Sequence, residues 1–154
     1  MFDLLAIFGA KYLFVFSLLS GGVYFLRISR NDQKRLLILG VISLPLIFLT
    51  ALIAGHLYYD PRPFVVRHFT PLVPHDPDNG FPSDHTLLVS AVAAIISMCN
   101  RRVATILWLI AILVALSRVY VGVHHSSDVI ASMIISITIL ALVYRGMKYF
   151  LKVS

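Results

Sequence analysis

Charge is scarce in this chain: Asp, Glu, Lys and Arg make up 13% of its 154 residues, against about 25% in a soluble domain. Water-exposed helices or strands need more polar surface than that. Cysteine is nearly absent. A single thiol, Cys99, excludes an internal disulfide and says nothing about redox compartment. No low-complexity stretch, long linker or internal repeat divides the sequence, so residues 1–154 read as one domain. What is abundant is apolar side chain, at 59% of residues with a mean hydropathy of +0.90.

The apolar residues fall into five runs, Phe2–Leu26, Leu36–Tyr58, Ser83–Cys99, Val103–Val121 and Ser127–Phe150. Four are close to the ~20 residues that cross a bilayer as helix. The third is 17 residues, about 25 Å at ~1.5 Å per residue, so its first turn is expected just below the headgroups. Backbone polar groups in lipid must bond within their own segment. The expectation is therefore an all-α integral membrane protein, a bundle of about five transmembrane helices.

The formal net charge of +6 could suggest a nucleic-acid partner, but its distribution points elsewhere. Arg27, Arg30, Lys34 and Arg35 separate runs one and two, Arg101 and Arg102 separate three and four, and Arg145, Lys148 and Lys152 close the sequence. Nine of the 13 Lys and Arg thus share one face, which the positive-inside rule makes cytoplasmic, with some attraction to anionic lipid. Asp3, Asp60, Asp76, Asp78, Asp84 and Asp128 share the other. The N-terminus is expected outside and the C-terminus inside. The first run makes a poor cleavable signal peptide, because its leading segment carries Asp3 rather than basic residues and the basic cluster follows it.

Three polar motifs stand on the outer side. Ser83 in Phe81-Pro82-Ser83-Asp84-His85 is a natural N-cap, whose helix presents free amides and a positive dipole end to phosphate oxygens. Pro-Ser-Asp also starts ordinary helices; His85 adds a group that can protonate a leaving oxygen. In Ser117-Arg118 followed by His124 and Asp128, the last two are four apart, so a helical turn would stack them. Asp128 can then accept the Nδ1 proton of His124 and leave Nε2 free to attack phosphorus, although a helix-opening ion pair has the same spacing. Arg118 interrupts an apolar stretch where an unpaired cation is costly, and its fork suits two phosphate oxygens; pairing with Asp128 is the structural alternative. Asp60-Pro61-Arg62-Pro63 cannot continue a helix and ends the second span. Arg62 alone would be an ordinary loop cation. Together the motifs can bind, attack and protonate a phosphoryl group.

Arg-Pro, Pro-Ser-x-His and Ser-Arg-x5-His-x3-Asp occur here in the order of the type 2 phosphatidic acid phosphatase superfamily, which the chain resembles from the second span to the start of the fifth. Gly55-His56-Leu57, Pro61-Arg62-Pro63-Phe64-Val65 and His75 through His85 are similar to the bacitracin-resistance branch of bacterial undecaprenyl-diphosphate phosphatases. The resemblance implies a phosphohistidine at His124 oriented by Asp128, His85 as acid then base, and phosphate held by Arg62, Ser83 and Arg118, without an obligatory metal. It implies a multi-pass protein of the bacterial cytoplasmic membrane that returns undecaprenyl phosphate to the carrier pool and releases inorganic phosphate outside.

Two departures accompany the resemblance. The wider family opens on Lys-x6-Arg-Pro, and the lysine position is Gly55 here; Lys11, a cation within the first span, is the candidate replacement, with snorkelling to an interface as the alternative. Familiar members have six spans rather than five. Asp84 stands where the wider family has Gly. It suits a helix dipole, and beside a phosphate it would bond to an arginine or hold Mg²⁺ or Ca²⁺ against a diphosphate. A phosphoanhydride expels a lipid phosphate with a last pKa of about 6, an easier departure than an alkoxide, and this favours diphosphate at a site short of one lysine. His56, His68, His75 and His125 read mostly as loop or interface histidines. Other lipid phosphates (phosphatidylglycerol phosphate, phosphatidic acid or lipid A phosphate) remain alternative substrates. A small histidine–aspartate transporter fits less well, since spans two to four have no interior acids, and a silent lipid-phosphate binder is the third reading.

Overall fold

The computed structural model describes residues 1–151; Lys152 lies outside them. Among the described residues six helices form: α1 (Phe2–Arg27), α2 (Arg30–Leu57), the single turn α3 (Pro63–Val66), α4 (Asp84–Ser97), α5 (Arg101–Tyr120) and α6 (Ser126–Leu151). Four of them, α1, α2, α5 and α6, are long and apolar enough to cross a membrane, and α4 is a shorter apolar helix. These are the five expected runs. The ends differ: α2 begins six residues before the expected start, because Ser29 caps it by accepting from the Asp32 amide at 3.2 Å. Arg30, Lys34 and Arg35 therefore belong to a helix rather than a link, as do Arg101, Arg102, Arg145 and Lys148.

The short α4 is the axis of the bundle and touches α1, α2, α5 and α6. Its 14 residues span about 21 Å at ~1.5 Å per residue. Small side chains let its neighbours approach on every side: Ser90, Ala91, Ala93 and Ala94 are all buried. Hydroxyls fasten it to α6, where Ser132 Oγ donates to the Ser83 carbonyl at 2.9 Å and Ser136 Oγ to that of Leu87 at 3.0 Å. Against α5, α1 comes so close that a Cβ on Gly9 would overlap the Ser117 side chain. The outer faces carry large apolar groups, with Phe16, Phe48, Ile106 and Ile134 each more than half exposed. Such continuous apolar surface suits lipid contact, not water. The starts of α1, α4 and α6 and the ends of α2 and α5 gather at one end of the bundle, and all three motifs lie there.

Candidate active site

Proline and one asparagine build the pocket's rim. Beyond Leu57 the chain turns through Pro61, and Arg62 caps α3, with Pro63 at its first position. Asn79 knits this turn to the segment before α4: its Nδ2 donates to the carbonyls of Gly55 (2.7 Å) and Tyr58 (3.1 Å), while Oδ1 accepts from the amides of Asp60 and Phe81, each at 3.0 Å. The Gly80 amide donates to the Asp60 carbonyl at 2.9 Å. Crowding here explains the missing lysine. A Cβ at Gly55 would stand 2.8 Å from the Phe81 carbonyl oxygen, so no side chain fits where the wider family carries its cation.

The far wall is the α5–α6 turn. Gly122 adopts φ +83, and a Cβ there would run into the Phe69 ring; only glycine suits both demands. The Leu72 amide donates to the Val121 carbonyl at 3.1 Å, and Val73 packs with Ala10, Val121 and Val123. This pins the loop before α4 against the turn that carries His124.

His124 is buried, and its two ring nitrogens face different groups. Nδ1 lies 2.9 Å from the Gly80 carbonyl and 3.4 Å from Asp128 Oδ2. Two acceptors on one side place the proton on Nδ1. Nε2 faces Arg118 Nη2 at 3.2 Å and Arg62 Nη1 at 3.5 Å. Guanidinium groups only donate, so Nε2 keeps its lone pair and aims it between two cations. Burial lowers the His124 pKa from the ordinary imidazole value; the Asp128 bond opposes this, and the charges of Arg118 and Arg62 add to it.

Arg62 is fixed on several sides: Nε donates to Asp78 Oδ1 at 2.7 Å, Nη1 to the Val123 carbonyl at 2.8 Å and Nη2 to the Asn79 carbonyl at 3.4 Å. Although partial burial opposes it, the Arg62 bond and charge hold the Asp78 carboxyl below its usual range. Arg118 is equally buried but makes no carboxylate bond among the described residues, and its Nε has no partner. This excludes direct pairing with Asp128, the structural alternative for this cation.

The remaining expected residues divide. Asp128 is fully buried, and Oδ2 accepts from the His125 amide at 2.8 Å; the nearer acceptor for His124 is the backbone of Gly80, which sequence reasoning missed because a carbonyl belongs to every residue. Burial, and then the Asp128 charge, raise the Asp60 carboxyl above its ordinary range, with His125 opposing. His85 packs edge-on against Phe14, ring centroids 4.8 Å apart, within electrostatic reach of Arg118, His124 and His75. Ser83 holds the N-cap position, yet its hydroxyl makes no cap bond and pairs instead with Thr86 Oγ1 at 3.2 Å. The expected capping hydroxyl is thus replaced by an internal hydroxyl pair. Asp84 is exposed, and its charge reaches Arg118. Lys11 is exposed on α1 and is not brought into the cluster by any bond among the described residues. No group of three or more His, Cys, Asp or Glu arranged for a metal occurs among the described residues.

One histidine read as a loop residue is in the pocket. His75 Nε2 lies 3.1 Å from Arg118 Nη2, and its ring centroid is 6.3 Å from that of His124. Its position in the stretch shared with the second motif was the available signal. His56 and His68 are exposed, and His125 bonds the Pro61 carbonyl at 3.1 Å.

A helical membrane bundle with two buried arginines converging on a histidine, and a second histidine at a helix start, is the architecture of one family of phosphatases and related proteins. The PAP2 superfamily profile matches residues 33–152, and the chain belongs to that superfamily. Among individual relatives, it is 34% identical over 120 residues to undecaprenyl-diphosphatase BcrC of Bacillus subtilis (strain 168), covering 75% of this chain and 60% of that protein. The chain spans less than two thirds of the length of the first curated relatives it matches. Its fold is similar to the crystal structure of Aquifex aeolicus LpxE, with a TM-score of 0.68, 24% identity and coverage of 92% of this chain and 81% of that one. A transmembrane PAP2-type phosphatidylglycerolphosphate phosphatase from Bacillus subtilis gives 0.60, 26%, 95% and 74% in the same terms.

Proposed function

We propose that this protein hydrolyses undecaprenyl diphosphate to undecaprenyl phosphate and inorganic phosphate, on the outer face of the bacterial cytoplasmic membrane, through a phosphohistidine at His124. The observation that carries this reading is the tautomer of His124, with Nδ1–H turned to Gly80 and Asp128 and the Nε2 lone pair turned to Arg62 and Arg118. A terminal phosphoryl group seated between the guanidiniums would have its equatorial charge met by their N–H groups. His124 Nε2 then forms a bond to phosphorus as the bridging P–O bond breaks. His85 supplies a proton to the departing lipid phosphate, takes one from the incoming water, and that water cleaves the N–P bond to release inorganic phosphate.

The substrate assignment draws on the names of the curated relatives, which include undecaprenyl-diphosphatases, and on the easier departure of a lipid phosphate than of an alkoxide. Orientation draws on the basic end of the bundle, which the positive-inside rule makes cytoplasmic. Its apolar outer faces suit an isoprenoid tail in the bilayer. The resemblance to a phosphatidylglycerolphosphate phosphatase favours a lipid monophosphate as the second reading.

The test is phosphate release by the purified protein in detergent, beside His124→Ala. Release from undecaprenyl diphosphate is expected to fall at least ~10⁴-fold in the variant, with a ³²P-labelled, acid-labile protein adduct in the wild type only. Chelator resistance would remove a divalent cation bridged by Asp84. Release confined to phosphatidylglycerol phosphate, phosphatidic acid or lipid A phosphate would overturn the diphosphate assignment, and release unaffected by His124→Ala would overturn the mechanism.

A further inference from the structure

We propose that His75 is a positioning residue of the phosphoryl pocket, acting through Arg118 to keep one edge of that guanidinium directed at the transferring phosphate. The proposal rests on the phosphatase reading above and extends it to a residue outside the three motifs. It begins from hydrogen-atom accounting on one nitrogen. Arg118 Nη2 carries two hydrogens, and imidazoles lie at hydrogen-bond distance from it on two sides: His75 Nε2 at 3.1 Å and His124 Nε2 at 3.2 Å. Because Arg118 cannot accept, both imidazoles must. Its Nε–H meanwhile is buried and without a partner, and leaving a buried donor unmade is costly.

A phosphoryl group resolves this arrangement in one direction. Once phosphorus engages the His124 lone pair, that ring can no longer accept from Nη2. One Nη2 hydrogen is then released beside the unpartnered Nε–H, and these two form the side-on edge of the fork that grips two phosphate oxygens. The other Nη2 hydrogen stays on His75. Without that acceptor the guanidinium would lose a bond that fixes its orientation, because no carboxylate among the described residues holds it within ion-pair distance.

His75 is suited to this by its mounting. Val73, two residues earlier, is buried with Ala10, Val121 and Val123, and Pro74 and Pro77 stiffen the segment on either side. The groups whose charges reach the ring are Arg62, Arg118, Asp78 and His124; partial burial and the two arginines lower its pKa, keeping it neutral and able to accept.

The experiment compares wild type, His75→Gln and His75→Leu in detergent by two readouts. One is affinity for inorganic phosphate, from the phosphate-dependent rise in melting temperature; the other is kcat and KM on undecaprenyl diphosphate. Glutamine carries an acceptor oxygen and is expected to stay within about threefold of wild type in both. Leucine is expected to weaken phosphate binding about tenfold and to lower kcat/KM by about 10- to 100-fold. If His75→Leu does not fold, His75→Ala, which also removes the acceptor without adding a charge, should show the same losses. Equal behaviour of all variants and wild type would overturn the proposal. So would equal loss in the glutamine and leucine variants, since that would assign chemistry to the imidazole itself. Absence of undecaprenyl diphosphate hydrolysis by wild type would count against the substrate reading only; phosphate affinity would still decide the role of His75.

Discussion

The two ends of the bundle use arginine in opposite ways. At the pocket end Arg62 and Arg118 are 5% and 4% exposed, and their N–H groups go to carbonyls, imidazoles and one surface carboxylate. At the other end Arg27, Arg30, Arg101 and Arg102 are exposed, and Arg35 donates to the Tyr144 hydroxyl at 2.8 Å. Water can replace most contacts of an exposed cation at little cost. A buried guanidinium without a counter-charge is different: it carries a standing desolvation cost that an anion would offset. The basic end can therefore tolerate substitution, whereas at the pocket end Arg118 carries a buried charge with no carboxylate bond among the described residues, which a bound anion would offset.

Arg118→Gln should separate these uses most sharply. Turnover is expected to fall by about 10²- to 10³-fold, the usual cost of one donor to a transition-state oxyanion. Melting temperature in phosphate-free detergent is expected to hold or rise, because a buried cation has been removed. A variant that lost turnover and stability together would make Arg118 a structural residue, and the contrast between the two ends would fail.

Asp128→Asn comes next. Losing the acid behind a catalytic histidine can cost about 10⁴-fold where the acid alone fixes the tautomer. Here the Gly80 carbonyl, at 2.9 Å from Nδ1, is nearer than Asp128 at 3.4 Å. A smaller loss of about 10²-fold is therefore expected, read as kcat together with the level of acid-labile phosphoprotein. A full 10⁴-fold loss would return sole control of the ring to Asp128.

Most of the architecture was legible because hydropathy and proline act locally. The five apolar runs became the five long or apolar helices, and Pro61-Arg62-Pro63 marked the end of α2. What escaped the sequence depends on chain return paths. His75 reaches Arg118 only because Val73 packs among Ala10, Val121 and Val123, a contact between distant segments. The Gly80 carbonyl carries no side-chain signature. Gly55 read as a lost lysine, but the approach of the Phe81 carbonyl gives it a positive cause. For Lys11, the length of an apolar run does not reveal which face of the helix a cation occupies; the structure puts it on an exposed one.

The electrostatic side of the comparison has a smaller, graded test. Burial and the charges of Arg118 and Arg62 lower the His124 pKa against the opposing Asp128 bond. The sign follows directly: in the proposed mechanism the free base is the nucleophile, so reactivity is full above the lowered pKa and is lost as pH falls through it. In the ligand-free protein, the His124 ring should titrate below about 6.5, followed by NMR of labelled histidine and assigned by its disappearance in His124→Ala. In Arg118→Gln one of the lowering charges is gone, and the midpoint should move upward. A His124 midpoint above 6.5 in wild type would contradict a field dominated by burial and the two arginines.

The smallest effect belongs to the basic end. Arg35 lies with Cζ 5.4 Å from the Tyr144 ring centroid, and Lys148 Nζ lies 5.5 Å from the same centroid. The Arg35 contact ties the start of α2 to α6, and the Lys148 contact lies within α6, but a partly exposed cation over an aromatic ring contributes only about 0.5–1 kcal/mol. Arg35→Gln removes the cation from the tyrosine ring and leaves the other basic residues of that end to hold orientation. Stability in detergent should change by less than about 1 kcal/mol, and kcat should stay unchanged. A tenfold fall in kcat would mean that α2 transmits changes from its basic start to the Gly55–Asn79 clasp at its far end. The two ends would then be one mechanical unit rather than an anchor and a pocket.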